Sequence, residues 1–221
     1  RTRRAQTRPS RLLPMGEEPP PPTDEGPTSP TGDAGLPVGG SVDALVSLVE
    51  RGAGVELRDR TRSDGGPAPV DTERVTLLTR ESGDLVDGLS ARLVDAGAIV
   101  TVLPHVDPTV VQAMRRAARP EASSTNVRVV FAGPARTRVT GPGGAAIRAA
   151  LAARSIDWHA SEARAPVGFL LADDRAVVGG FDDGRLETVL SSTDDAVGSW
   201  VAATCRRYLG AADSTATTTH E

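Results

Sequence analysis

The stretch from Pro166 to Leu209 constrains the fold more than any other, because three short strand-like segments, the first two of them apolar runs, are separated by compact polar breaks and lead into a single amphipathic stripe. Val167 to Ala172 is nearly all apolar, Asp173-Asp174-Arg175 interrupts it, and Ala176 to Phe181 is apolar again. Unbroken apolar runs, as opposed to alternating ones, predict strands covered on both faces. The second break, Asp182-Asp183-Gly184, contains an Asp-Gly pair able to take positive φ in a tight turn, which predicts a third strand from Arg185 to Leu190. Ser191, Ser192 and Thr193 can cap a helix, and Asp194 and Asp195 put carboxylates in its first turn, where unpaired amides and the helix dipole favour negative charge. Val197, Trp200, Val201, Cys205, Tyr208 and Leu209 then recur at helical spacing, with Gly210 expected to end the stripe. The chain has 2 Trp, 1 Tyr and 3 Phe, so Trp200 is expected to be among the largest contributors to the core.

Upstream, the pattern alternates. Ser41 is a candidate cap for a helix to Arg51 with Val42, Leu45, Val46 and Val49 on one face; Gly52 and Gly54 are expected to stop it, and Val55 to Leu57 to add a short strand. Arg58 to Asp71 reads as an exposed loop. A strand is predicted over Val75 to Thr79 and a helix on Leu85, Val86, Leu89, Leu93 and Val94, capped by Gly97. A second strand covers Ile99 to Leu103. Asp107 then caps a helix that has Pro108 at its first position and Val110, Val111 and Met114 on its apolar side, and Asn126 precedes a third strand, Val127 to Phe131. This order predicts an α/β domain: a mainly parallel sheet flanked by helices, extended or edged by the C-terminal antiparallel meander with its closing helix.

The domain is expected over residues 41–210, between tails at 1–40 and 211–221. Arg1 to Arg11 is basic, and Met15 to Gly35 is crowded with prolines, glycines and acids, so neither can bury enough surface to offset chain entropy. The chain opens on Arg1, not Met, which points to a truncated reading frame and a missing N-terminal domain. No apolar run approaches the length of a membrane span, and no apolar segment follows Arg3-Arg4 to complete an export signal; a cytoplasmic protein without membrane contact is expected.

Composition removes whole mechanisms. The 25 basic residues are all arginine, so no Schiff-base lysine and no P-loop lysine exists. One cysteine makes neither an internal disulfide nor a cysteine-based zinc site, and Cys205 on the apolar stripe reads as a buried thiol. A formal charge of −4 argues against a protein built mainly to grip nucleic acid. No serine sits in Gly-x-Ser-x-Gly, and His105, His159 and His220 are not spaced for a metal site, so neither metal nor cofactor is expected.

The meander carries a family resemblance. Pro166-Val167-Gly168-Phe169-Leu170-Leu171-Ala172-Asp173-Asp174, Ala176-Val177-Val178-Gly179-Gly180-Phe181-Asp182-Asp183, and Ser191-Ser192-Thr193-Asp194-Asp195 running into Trp200 resemble the end of the sensor domains of archaeal winged-helix transcriptional regulators. The likeness is to the TrmB-like and methanogenesis-regulator-like groups, haloarchaeal members above all. Asp95-Ala96-Gly97 closing a helix before Ile99-Val100-Thr101-Val102-Leu103 is similar to the phospholipase-D-type α/β fold of TrmB-like sensors. Catalytic members of that superfamily use His-x-Lys; His105-Val106-Asp107 has aspartate where lysine would stand, so the resemblance implies a binding descendant without hydrolase chemistry. It further implies a small-molecule ligand or a homodimer as partner, and contact with DNA only through a module absent from this chain.

His105 and Asp107 follow a predicted parallel strand, where open sheets place ligands, and with Asp173 and Asp182 they form the candidate ligand-binding set; the alternative for the paired aspartates is solvated turns. Gly141-Pro142-Gly143-Gly144 before the helix Ala145 to Arg154 is either a flexible loop or an anion site at free helix amides. Beside the sensor domain stand two other functional readings, a small α/β enzyme using His105 with Asp107 or Asp173, and a structural module binding a partner through an apolar face.

Overall fold

A computed structural model describes residues 41–57, 70–72, 74–83, 85–117 and 125–216. The expected tail at 1–40, residues 217–221 of the tail expected at 211–221, and most of the loop expected from Arg58 lie outside the described residues, whereas 211–216 belong to a helix. In chain order the elements are α1 (Val42–Ala53), β1 (Val70–Thr72), β2 (Val75–Thr79), α2 (Leu85–Leu93), β3 (Ala98–Leu103), α3 (Pro108–Ala117), β4 (Asn126–Ala132), α4 (Gly133–Thr140), a 3-10 turn (Pro142–Gly144), α5 (Ala145–Ala152), β5 (Asp157–Ser161), β6 (Gly168–Ala172), β7 (Arg175–Asp182), β8 (Arg185–Ser192) and α6 (Asp195–Ala216).

One sheet of eight strands runs in the order β1-β2-β8-β7-β6-β3-β4-β5. Only β3–β4 and β4–β5 pair in parallel; every other described pair is antiparallel. The expectation of a mainly parallel sheet with the meander at its margin is therefore corrected. The meander occupies the middle of the sheet and separates β2 from β3. The reason lies in its composition. From Ala176 to Phe181 every residue is buried, Val177 and Phe181 facing one core and Ala176 and Val178 the other. Strands apolar on both faces must be covered on both faces, so β6, β7 and β8 take the centre and β2 pairs with β8 by Leu77↔Leu190 and its neighbours. The hairpin between β7 and β8 closes with Asp183 at φ 45 and Gly184 at φ 76, the double positive φ whose twist matches a tight two-residue hairpin.

Helices cover both faces. On one, α2, α3 and α4 deliver Leu89, Leu93, Met114 and Val139 to a core shared with Ile99, Val129, Phe131 and Phe181. On the other, α1 and α6 close over Val102, Val130, Phe169 and Val178. Val197, Val201, Cys205 and Tyr208 of α6 are buried as the stripe predicts, but the helix continues past Gly210 to Ala216 and buries Ala212 as well. Its cap is Asp194, whose Oδ1 accepts from the Ala196 amide at 2.9 Å, because Ser191 and Ser192 are still the end of β8. The half-buried Trp200 meets Phe169 edge to face at 5.5 Å.

Two further local expectations are revised, and two segments without an expectation turn out to be regular elements. Leu57 is fully buried without joining a strand; its amide donates to Glu50 Oε1 at 2.8 Å, which anchors the segment after α1. α2 ends before Asp95, which takes φ 69, so the left-handed position falls there and not on Gly97. The stretch before Gly141 is helical (α4), and Asp157–Ser161 is an edge strand.

Candidate functional site

The four predicted site residues do not converge. Asp107 is 2% exposed and fully engaged: Oδ1 accepts from the amides of Thr109 at 2.7 Å and Val110 at 3.3 Å, and Oδ2 from that of Leu186 at 3.3 Å. It is the cap of α3 and at the same time fastens the start of β8 beside the end of β3. His105 lies against Phe181, ring centroids 5.4 Å apart, above Gly184 of the hairpin; partial burial pushes its pKa below the ordinary value. Asp182, exposed, begins the same hairpin. Asp173 sits at the opposite end of β3, its oxygens accepting from the amides of Gly97 at 2.9 Å and Ala98 at 3.0 Å. At about 3.3 Å per residue, the length of β3 puts roughly 17 Å between Asp173 and the other three. In the glycine-rich segment, Gly141 and Gly144 donate their amides to Thr137 O and Gly141 O, and a Cβ on Gly144 would stand 1.9 Å from Val139 O. It is a tight corner between α4 and α5.

The structure offers another site. Between α3 and α5, over the C-terminal ends of the parallel strands β3 and β4, lies a cleft of about 370 Å3. Its floor is Leu103, Val129 and Phe131, and its walls are apolar faces of the two helices. α5 has no fully buried residue, although its sequence, AAIRAALA, is almost wholly apolar. Val111 on the α3 wall is 40% exposed. Arg115, Arg138 and Arg154 stand at the rim, and no acidic side chain lines the cleft. Sequence reasoning missed these arginines because they belong to three separate segments. The available signal was the apolar excess on α5, together with Val111 on α3, which exceeds what a single buried stripe requires. The lining contains no nucleophile and no carboxylate, so it provides desolvation inside and positive charge at the mouth. Among the described residues no group of three or more His, Cys, Asp or Glu is placed to hold a metal ion, and no helix is long and apolar enough to cross a membrane.

Comparison with known proteins identifies the family. Residues 84–211, more than half of the chain, match the family model of the middle domain of the methanogenesis regulatory protein FilR1. The chain belongs to that family, and the regulator resemblance of the meander stands. No curated protein matches significantly. Among solved structures, an archaeal chromatin protein, TrmBL2, described as showing a novel mode of DNA binding, aligns at 13% identity with a TM-score of 0.46, over 76% of this chain and 60% of its own. The chain thus spans 60% of the length of that protein. A phospholipase D family member, Nuc from Salmonella typhimurium, aligns at 13% identity and a TM-score of 0.49 over 62% of this chain and 94% of its own. Polyphosphate kinase from Porphyromonas gingivalis gives 15% and 0.48 over 62% and 26%.

Proposed function

We propose that residues 41–216 are the ligand-sensing domain of an archaeal transcription regulator, that they carry no catalysis, and that another module of the regulator contacts DNA. The observation that carries this reading is the open apolar cleft at the C-terminal ends of β3 and β4 in a domain of a regulator family. Ligands of open α/β sheets collect at such strand ends. Supporting it, Asp107, which stands where the hydrolase motif of the resemblance has lysine, is buried as a helix cap, with each of its oxygens held by backbone amides. The test is thermal unfolding of the purified chain against sugars, sugar phosphates, nucleotides and carboxylates. A ligand at a hundred times its Kd stabilises the fold by about 2.7 kcal/mol. Ala150→Phe, which fills the cleft from α5, is expected to abolish the shift. Absence of any shift across the panel, or a shift that Ala150→Phe leaves intact, would remove the cleft from the regulatory reading.

A further inference from the structure

We infer that the occupant of the α3–α5 cleft is a small amphipathic anion: an apolar body of about a dozen heavy atoms ending in one carboxylate or phosphate group. The inference rests on the sensing reading and names its ligand class. Size comes first. At about 30 Å3 per water-sized group, 370 Å3 has room for roughly twelve such groups, enough for a body of that size. Polarity comes next. A sugar would turn its hydroxyls onto Leu103, Phe131, Ile147 and Leu151, none of which can hydrogen-bond them, and buried hydroxyls without partners are penalised. An apolar body instead covers the same surfaces together with the exposed face of Val111.

Charge settles the head group. The chain carries a net −4, yet the cleft is rimmed by three arginines and no acid. On α3 and α4 a neighbouring arginine is neutralised. Arg116 pairs with Asp87, and Arg136 pairs with Glu162 at 2.8 Å. Among the described residues Arg115 and Arg138, which face the cleft, have no ion-pair partner, and Arg154, just past the end of α5, reaches only Ala150 O of that helix at 3.3 Å. Arginine stems lie along apolar walls with their guanidinium heads at the mouth, and the planar head bonds a carboxylate or phosphate by two parallel hydrogen bonds. The arrangement therefore suits an anion held at the rim with its body inside.

Titration calorimetry of the intact chain with decanoate, octyl phosphate, decanol and decylamine tests this directly, with Trp158 fluorescence as a second signal because that ring packs on Phe131 of the floor, centroids 6.3 Å apart. Saturable one-to-one binding of decanoate or octyl phosphate is expected, tenfold or more tighter than decanol and far tighter than decylamine. The better of the two anions identifies the head group. Arg115→Gln and Arg138→Gln are each expected to weaken the anion about tenfold and leave decanol unchanged, whereas Arg116→Gln does neither. The head-group series needs no variant, so a folding defect cannot mask the answer. Equal affinity for decanol and decanoate, indifferent to both arginine changes, would overturn the anion while leaving the sensing reading intact. So would binding of a sugar or nucleotide that Ala150→Phe abolishes. A concentration-dependent dimer by sedimentation that Ala150→Arg dissociates would show a second copy in the cleft and overturn the ligand altogether. Failure of all four amphiphiles, with the chain monomeric, would overturn the anion, and the sensing reading falls with it only if the sugars, sugar phosphates, nucleotides and carboxylates also give no thermal shift.

Discussion

Gly52 lies in the last turn of α1, directly against the indole of Trp200, and replacing it by alanine opposes two effects of known size. A Cβ at position 52 would stand 2.2 Å from Trp200 Cε2, 2.4 Å from Cζ2 and 2.5 Å from Nε1. The rigid ring must move by about 1 Å or more to restore contact distance, and moving it breaks the edge-to-face arrangement with Phe169. Alanine favours the helix by at most about 1 kcal/mol over glycine. Overpacking costs about 1–3 kcal/mol, and the aromatic pair contributes about 0.5–1.5 kcal/mol. The clash wins, so Gly52→Ala is expected to destabilise by about 1–3 kcal/mol, a fall in Tm of roughly 3–10 °C for a domain of this size. Urea unfolding followed by far-UV circular dichroism measures it. In a Trp200→Leu background the obstruction is gone, and the same change should become neutral or stabilising by up to about 1 kcal/mol, a coupling read from the double-mutant cycle. Stabilisation by Gly52→Ala with Trp200 in place, or equal effects in both backgrounds, would refute the proposed contact.

Other outcomes follow from single side chains. Asp107→Ala removes a helix cap and leaves the buried Leu186 amide without its acceptor, so a loss of about 2–4 kcal/mol is expected in urea unfolding; Asp107→Asn, which keeps an acceptor oxygen, should cost clearly less. Cys205 is buried and desolvation pushes its thiol up to about 12, against a small opposing effect of Arg206. Native protein at pH 8 should therefore resist iodoacetamide over hours and label fully in urea; rapid native labelling would contradict the burial. Burial lowers the pKa of His105 below its unfolded value, so the unfolded chain binds the proton more readily. Its contribution to stability is then complete above about pH 6.5 and is lost as pH falls from there through the folded pKa. His105→Asn should flatten that slope in unfolding experiments between pH 7.5 and 5, and an unchanged slope would remove His105 as its source.

Local elements were legible wherever a segment's own residues decided the outcome. Ser41 caps α1 as its position predicts, accepting from the Ala44 amide at 3.2 Å, and Pro108 opens α3 after Asp107. The break at Asp183-Gly184 and the stripe of α6 are both where the pattern puts them. Sheet order was not legible in the same way. β2, α2 and β3 read as a strand-helix-strand unit of adjacent parallel strands, yet three strands from much later in the chain lie between β2 and β3. The information was present in the unbroken apolar runs of β6 and β7, which require two covered faces and hence a central position, a constraint stronger than the tendency of successive strands to be neighbours.

Candidate site residues are hard to read from sequence for a related reason. Polar residues at predicted strand ends attract attention because catalytic and binding groups are found there, but the same places need caps and turn formers, and in this fold the structural need takes the side chains first. Asp107 and Asp173 have their carboxylates engaged by backbone amides. Once both ends of β3 are tied in this way, the groups left over at the end facing α5 are apolar walls without a full covering and arginines without carboxylates, contributed by residues as far apart as Leu103 and Ile156. A binding surface of the kind proposed would have no motif, since its specificity would come from what three helices leave uncovered and unneutralised. It follows that substitutions at Ala146, Ala150 or Arg138, which no local pattern marks as special, should alter ligand response with little effect on folding, while substitutions at Asp107 and Asp173 should act chiefly on stability.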